Sequence, residues 1–447
     1  MARYEFSDGK SNKFWEIKIE GAVLTVTFGR IGTAGTSSTK VLPSPAGAKM
    51  EHDKLVAEKT KKGYKLVAAP VQAAAVTQGG PSLADLEARI IACPDDEEAW
   101  KEYGEALKAA GDPRGEAVLL TIGAPKGKPP AALKKITDAH GKKWLGDLGK
   151  EDSSIQLTWT HGAFIETARI AATYDDEGGM STDAQVRALL RLDAAKFLRE
   201  LTIGLAGTDG SNDYGAVITA IVKAGMRPSL RKLFIGDFEF PDESEISWVT
   251  VGDAGKILPL TPNLEELKLQ GGGIRLSNLE SAKCLRSLIL RTGGLPGATA
   301  RAVASASLPE LTHLEMWLGT EDYGGSANME SVKPLMSGKG FPKLVHLGLM
   351  NSQFQNDIAK AIAGSKILKQ LQSLDLSMGT MTDEGAEAIL AAKDRFSHLK
   401  ALNLEDNYLS DEMGKKIEKA LPMAKVGAQR KPSDWGDSLH YYVSVGE

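Results

Sequence analysis

Leucines recur along the second half of the chain in a fixed local frame. Its most complete copy, Leu399–Leu409, reads Leu-x-x-Leu-x-Leu-x-x-Asn-x-Leu. Leu402 and Leu404 stand two apart, so both face the same side of a short strand. Asn407 is placed to hydrogen-bond backbone groups where the chain leaves that strand, and Leu409 turns back inward. One such turn cannot bury its own leucines and has to stack on neighbours. The same frame starts at Leu198, Leu230, Leu264, Leu285, Leu311, Leu344 and Leu371, with a degenerate copy at Ile165. Counted from Ile165, the steps are 33, 32, 34, 21, 26, 33, 27 and 28 residues. The pattern predicts a solenoid with parallel strands along a concave side and helices or loops along a convex side.

This frame is that of a leucine-rich repeat. Thr382 to Ala392 supplies an N-cap, first-turn acids and good helix formers. Together with the 27- and 28-residue steps, it resembles the long, ribonuclease-inhibitor type of repeat, with a helix in each turn. Most other turns carry Gly, Ser or Ala where Asn407 stands, so no regular asparagine ladder is expected. Residues at offsets 2, 4 and 6 from each leading leucine should face the concave side. The middle turns place Phe234, Lys268, Arg291, His313, Glu315, Trp317, His346 and Met350 there. Trp317, Arg291 and Met350 are residue types enriched at interfaces, so these eight are the candidate protein-binding residues. Two placements remain open for Trp317: aimed outward from the concave face, or packed under a neighbouring loop. His313 and His346 share an offset in adjacent turns, but only Glu315 could join them, too few ligands for a metal site.

Upstream, the periodicity changes. Leu83, Leu86, Ile90 and Ile91 follow helical spacing after Ser82, a candidate N-cap. Pro94-Asp-Asp-Glu-Glu opens a second helix that aligns Trp100, Tyr103 and Leu107. Leu86–Asp96 and Gly111-Asp-Pro-Arg-Gly-Glu116 resemble a bacterial repeat-companion segment found ahead of leucine-rich arrays, which implies an N-terminal helical cap over residues 82–150. Lys126, Lys128, Lys134, Lys135, Lys142, Lys143 and Lys150 form a basic cluster within it, more often a solvated helix face than an extension of a polyanion footprint. Residues 68–81 are small and nearly uncharged, a flexible linker. The solenoid is expected over 151–424. The 425–447 segment forms a C-terminal cap or a tail, with Tyr441–Val445 alternating like a strand.

The first 67 residues alternate as strands. Lys13–Glu20 and Val23–Phe28 suit an antiparallel hairpin. A glycine-rich loop follows, then a short strand near Ser38, then a helix from Pro45 to Lys61 with Gly63 as its C-cap. Three motifs in order, Lys13-Phe-Trp-Glu-Ile17, Phe28-Gly-Arg-Ile-Gly32 with Gly35, and Glu58-Lys-Thr-Lys-Lys-Gly-Tyr64, resemble the WGR domain, a small α+β module. Phe28 replaces the family's first-letter tryptophan. In eukaryotic poly(ADP-ribose) polymerases that tryptophan packs on a nucleotide sugar at a DNA end and the arginine organises the contact. The resemblance therefore implies Phe28, Gly29, Arg30, Lys40 and Lys62 as candidate nucleic-acid-binding residues, with Phe28 retaining an aromatic face for stacking. Trp15, on an alternating strand, reads as core.

Charge agrees with this division. Residues 1–69 hold 12 Lys and Arg against 7 Asp and Glu, and the rest hold 42 against 51. A polyanion partner, DNA or RNA, would meet the basic head. Cys93 and Cys284 are the only cysteines, which excludes a disulfide framework or a CxxC metal pair. No apolar run suits a secretory signal or a membrane span, so a cytoplasmic protein is expected. Neither a P-loop nor any GxSxG, HExxH or Rossmann pattern occurs, and no cofactor is expected. The expected function is a non-enzymatic adaptor or regulator, its head touching nucleic acid and its concave face holding a protein. The alternative is a purely protein-binding scaffold without nucleic-acid contact.

Overall fold

The computed structural model describes residues 2–446 except 8–11, 21–22, 32, 34, 43–44, 68–80, 125–129, 151–154, 173–178, 209–211 and 435–437. The linker residues 68–80, Gly32, Lys126 and Lys128 of the sequence reading lie outside the described residues. The chain divides into two compact units, Met1–Pro81 and Ser82–Glu447.

In the first unit, strands β1 (Ala2–Ser7), β2 (Asn12–Glu20), β3 (Val23–Arg30) and β4 (Thr36–Val41) precede helix α1 (Pro45–Lys61) and strand β5 (Lys65–Val67). They form one sheet in the order β4-β3-β2-β1-β5. The hairpin β2–β3 and the helix bounds follow the sequence pattern. Gly63 at the end of α1 takes φ +85°, the left-handed conformation a glycine C-cap adopts. Strands β1 and β5 were not expected; β5 has three residues, and only pairing with β1 makes it a strand. Tyr4, Trp15, Ile17 and Leu24 form the core on one sheet face, joined by Leu55 and Val56 of α1. Trp15 is a core residue, as its alternation implied.

The second unit opens with α2 (Leu83–Ala92), α3 (Glu97–Ala109), α4 (Pro113–Ile122) and α5 (Ala131–Leu145). Ser82 and Asp85 make a reciprocal capping box, and Asp96 caps α3 through the Ala99 amide. Leu86, Ile90, Trp100, Tyr103 and Leu107 close a cluster that includes Phe164 and Phe197 from the first repeats. The Gly-Asp-Pro-Arg-Gly-Glu motif has a local reason. Asp112 caps α4 and clamps Arg114, while Gly115 lets α4 meet α3, since a Cβ there would lie 2.4 Å from the Gly104 carbonyl oxygen. Lys134, Lys135, Lys142 and Lys143 on α5 are exposed.

The repeats follow as β6 (Ile155–Thr160), β7 (Phe164–Ile170), β8 (Glu200–Ile203), β9 (Asn212–Asp213), β10 (Lys232–Ile235), β11 (Val249–Thr250), β12 (Glu266–Gln270), β13 (Ser287–Arg291), β14 (His313–Gly319), β15 (His346–Ser352), β16 (Ser373–Asp375), β17 (Ala401–Asn403) and β18 (Ala424–Lys425). All but β9 and β11, which pair with each other, join one eleven-stranded sheet. It is parallel except for the β6–β7 hairpin at its start. Every frame lands in register. Thr167, Glu200, Lys232, Glu266, Ser287, His313, His346, Ser373 and Ala401 stand side by side, which makes the Ile165 copy a true turn. Leu201, Leu233, Leu267, Leu288, Leu314, Leu347, Leu374 and Leu402 stack as a buried column. Convex elements are α6 (Thr182–Arg191), α7 (Gly215–Ala224), α8 (Gly297–Ala304), α9 (Met329–Val332), α10 (Gln355–Gly364), α11 (Asp383–Ala391), α12 (Lys393–Phe396) and α13 (Asp411–Ala420), with 3₁₀ turns between them. The fold is thus an α/β leucine-rich-repeat solenoid following a small α+β head.

Three local expectations change. Thr382 stands at the N-cap of α11 but makes no side-chain cap bond; its hydroxyl accepts from Asn356 Nδ2. Gln270, expected on the open face, turns inward and donates to the Phe238 carbonyl. Tyr441–Val445 is not a strand, because its amides find Tyr408, Met378 and Asn351 instead of a neighbouring strand. A short pair, β19 (Ser433–Asp434) with β20 (Leu439–His440), precedes it.

Candidate functional site

Asn407 shows how a turn is closed. It is fully buried, its Nδ2 donates to the carbonyls of Leu376, Leu404 and Glu405, and its Oδ1 accepts from the Met381 amide. That closure leaves the other strand face without a helix over it. There the parallel register sets residues from different turns side by side, one strand spacing apart.

The eight candidate residues fall in three neighbouring rows on β10, β12, β13, β14 and β15. Phe234, Lys268, Ile289, Glu315 and Gly348 make the middle row. His313 and His346 flank it on one side, and Arg291, Trp317 and Met350 on the other. Glu315 is buried, and the other seven are half-buried. Its Oε1 accepts from Arg291 Nε at 3.1 Å and from Trp317 Nε1 at 3.0 Å. The Arg291 guanidinium lies 5.2 Å from the Trp317 ring centre, and Lys268 Nζ lies 4.0 Å from that of Phe234. Trp317 therefore stands between its two expected placements. It faces the open side, yet its lower part packs on the core.

Electrostatics sharpen the picture. Burial opposes ionisation of Glu315, but the adjacent His313, the Arg291 guanidinium and the Trp317 N–H outweigh it and hold the carboxyl down at about 2. His313 and His346 stack with ring centres 4.1 Å apart and planes 9° apart. His346 Nδ1 meets the Ser373 hydroxyl at 2.7 Å. Burial, reinforced by His313, pushes the His346 pKa down. His313 Nε2 is buried with no hydrogen-bond partner among the described residues; the nearest charge, Glu315 Oε2, is 3.9 Å away. Burial, then the like charge of Arg291, lowers Lys268. Among the described residues, no three His, Cys, Asp or Glu side chains gather as a metal site.

On the head, Phe28 is 48% exposed at the end of β3. Leu24, Val26, Phe28 and Arg30 share one sheet face by alternation. The first two are covered by core, and the last two run past it. Arg30 is exposed and has no ion-pair partner among the described residues. Gly29 serves the loop: a Cβ there would stand 2.8 Å from Gly35 Cα, and both glycines close over the Phe14 ring. Lys40 is set apart. It pairs across the sheet with Leu24, four positions along β3 from Phe28, and binds Glu51 at 2.9 Å. Lys62, one residue past α1, is tied to Glu58 of its last turn. Two cations that the sequence reading did not single out stand nearer. Lys13 is the register partner of Arg30, and Lys59 Nζ sits 5.5 Å over Trp15, itself the register partner of Phe28. Hairpin register would have revealed Lys13; nothing local marked Lys59.

These features define a leucine-rich-repeat protein with a WGR domain at its N-terminus. Residues 1–70 match the WGR domain family and residues 369–390 match a Leucine Rich repeat family. The head is similar to two Escherichia coli (strain K12) proteins. It is 43% identical over 63 residues to the uncharacterized protein YfeS, covering 14% of this chain and 26% of that one. It is 39% identical over 64 residues to Protein YehF, covering 14% and 23%. The chain thus spans about a quarter of the length of these curated relatives. A crystal structure of a Bacteroides fragilis protein is similar across 99% of both chains, with 28% identity and a TM-score of 0.52. Among the described residues no helix is long and apolar enough to cross a membrane.

Proposed function

We propose that this protein is a non-enzymatic adaptor. In this reading the open face of the solenoid holds a protein partner, and the WGR head contacts nucleic acid at Phe28 and Arg30. The observation that carries it is the in-register strip Arg291–Trp317–Met350 beside Glu315 and the stacked histidines. It is a partly desolvated aromatic and charged surface of the kind that anchors interfaces. The half-buried Lys268, resting on Phe234 with no carboxylate partner among the described residues, adds a cation for an acidic group on the partner. WGR and leucine-rich-repeat modules bind rather than catalyse, and no cofactor is needed for either contact. The division into head, linker, helical cap, solenoid and tail, and a cytoplasmic location, belong to the same proposal.

The test has two arms. Anisotropy of a labelled duplex with free ends, at rising salt, is compared between the intact protein and Phe28→Ala and Arg30→Ala. Weakened binding in both variants, with a shallower salt slope for Arg30→Ala, supports the head contact. Affinity capture with the intact protein and with Trp317→Ala tests the open face. Unchanged recovery of the same partner removes Trp317 from the site. A second reading, a purely protein-binding scaffold, is favoured by one observation: Lys40 and Lys62 are each neutralised by a glutamate. Absence of duplex binding at low salt by the intact protein selects it.

A further inference from the structure

The last residues do more than end the solenoid. After β18 the chain turns back, and residues 441–446 cross the ends of turns already closed by their own cores. At the end of β15, Asn351 is fully buried and takes φ +52°. Its side-chain amide reads the backbone of Val445 twice: Nδ2 donates to the Val445 carbonyl at 2.6 Å, and Oδ1 accepts the Val445 amide at 2.9 Å. The Ser444 amide donates to the Met378 carbonyl at 2.9 Å. Further along, the Tyr408 hydroxyl meets both polar backbone groups of Tyr442, at 2.9 and 3.0 Å.

Side-chain recognition is narrow and specific. Val445 is 5% exposed and joins the solenoid core. Gly446 is pressed between two turns. A Cβ on Gly293 would stand 1.9 Å from the Gly446 carbonyl oxygen, and a Cβ on Gly446 would stand 2.5 Å from the Tyr323 ring. Leu439, Tyr441 and Tyr442 stay exposed. A cap would cover apolar residues at the array's end. This segment instead buries one valine beside Asn351 of β15, three strands before β18, and is otherwise held by its backbone. That is how an extended peptide is bound, with main-chain bonds for affinity and a pocket for specificity. One buried side chain and a few backbone bonds against the ordering of a whole segment make a balance close enough to exchange.

We propose that Asn351, with Gly293, Tyr323, Met378 and Tyr408, forms a binding site for an extended peptide carrying a Ser-Val-Gly sequence. The chain's own Ser444–Gly446 fills it as a tethered ligand, and the same sequence supplied by another chain exchanges with it. The site lies apart from the open-face rows and does not depend on them.

The probe is a labelled synthetic peptide of residues 439–447, followed by anisotropy against full-length proteins. Val445→Asp expels the resident tail, because its carboxylate cannot enter the apolar pocket. Gly446→Trp does so by a second route, against Tyr323. If the tail fills the site nine-tenths of the time or more, either variant binds the peptide at least about tenfold tighter than the wild type. Adding Asn351→Ala to the opened variant abolishes that gain, and a peptide with Asp in place of its second valine does not bind. Equal affinity for wild type and an opened variant overturns the proposal. So does an opened variant that melts like the wild type yet leaves the peptide free, or one whose binding survives Asn351→Ala.

Discussion

Replacing Glu315 with glutamine tests the electrostatics of the open face most directly. The amide keeps the shape and one acceptor oxygen, so Trp317 and Arg291 can still donate; what is lost is the charge. A carboxyl shifted from 4.5 to about 2 prefers its ionised form in the fold, by about 3 kcal/mol before screening. Glu315's own side chain is 12% exposed but that of Arg291 is 31% exposed, so solvent screening trims this to about 2 kcal/mol. Because the folded pKa lies below the unfolded one, the contribution is complete above pH 4.5 and disappears as pH falls toward 2. Urea unfolding of wild type and Glu315→Gln, followed by far-UV circular dichroism in matched buffers, reads this difference. The expected result is a wild-type advantage of about 2 kcal/mol at pH 7 that shrinks to about a quarter of that at pH 2.5. A difference that stays constant across that range would refute the argument, because it would come from packing and not from the charge. An absent difference at pH 7 would show that Arg291 and Trp317 do not hold the carboxylate.

Three further outcomes are expected. Gly115→Val should lower the urea midpoint by overpacking the α3–α4 crossing, where a Cβ has 2.4 Å to the Gly104 oxygen, at a cost of about 1–3 kcal/mol; an unchanged midpoint would mean the crossing opens freely. Asn407→Ala leaves the Met381 amide without its acceptor and, among the described residues, the Leu376 carbonyl without a donor, while the Leu404 and Glu405 carbonyls keep Gln429 Nε2 and the Met378 amide; it should cost about 2 kcal/mol or more, measured in the same melts. His161 stacks on Trp100 at 3.9 Å, and burial pushes its pKa down to about 4 from 6.5, so acidification through that window protonates the unfolded chain first and destabilises the fold. His161→Asn, which suits the left-handed backbone at φ +48°, should flatten the stability loss between pH 6.5 and 4, and an unchanged profile would assign it to other groups.

The sequence by itself determined the repeat register and the secondary structure of the best-marked segments. Leu402 and Leu404, and their counterparts back to Ile165, carry that information locally, because strand alternation needs only neighbouring residues. Each turn then stacks only on its nearest neighbours. The same locality marked the α1 helix, the Ser82 cap and Trp15 as core. It also sets all eight open-face candidates on one side of the sheet, since side follows from offset. What those side chains do to one another was decided only in three dimensions. Arg291 meets Glu315 across 24 residues, and His313 meets His346 across 33, because unequal turn lengths still close into one register. The same is true of the half-burial of Trp317, of Lys13 and Lys59 standing near Phe28 where Lys40 does not, and of the β1–β5 pairing. The tail is the clearest case. Asn351 reaches Val445 across 94 residues, and a polar residue at a strand end carries no local sign of a partner that distant.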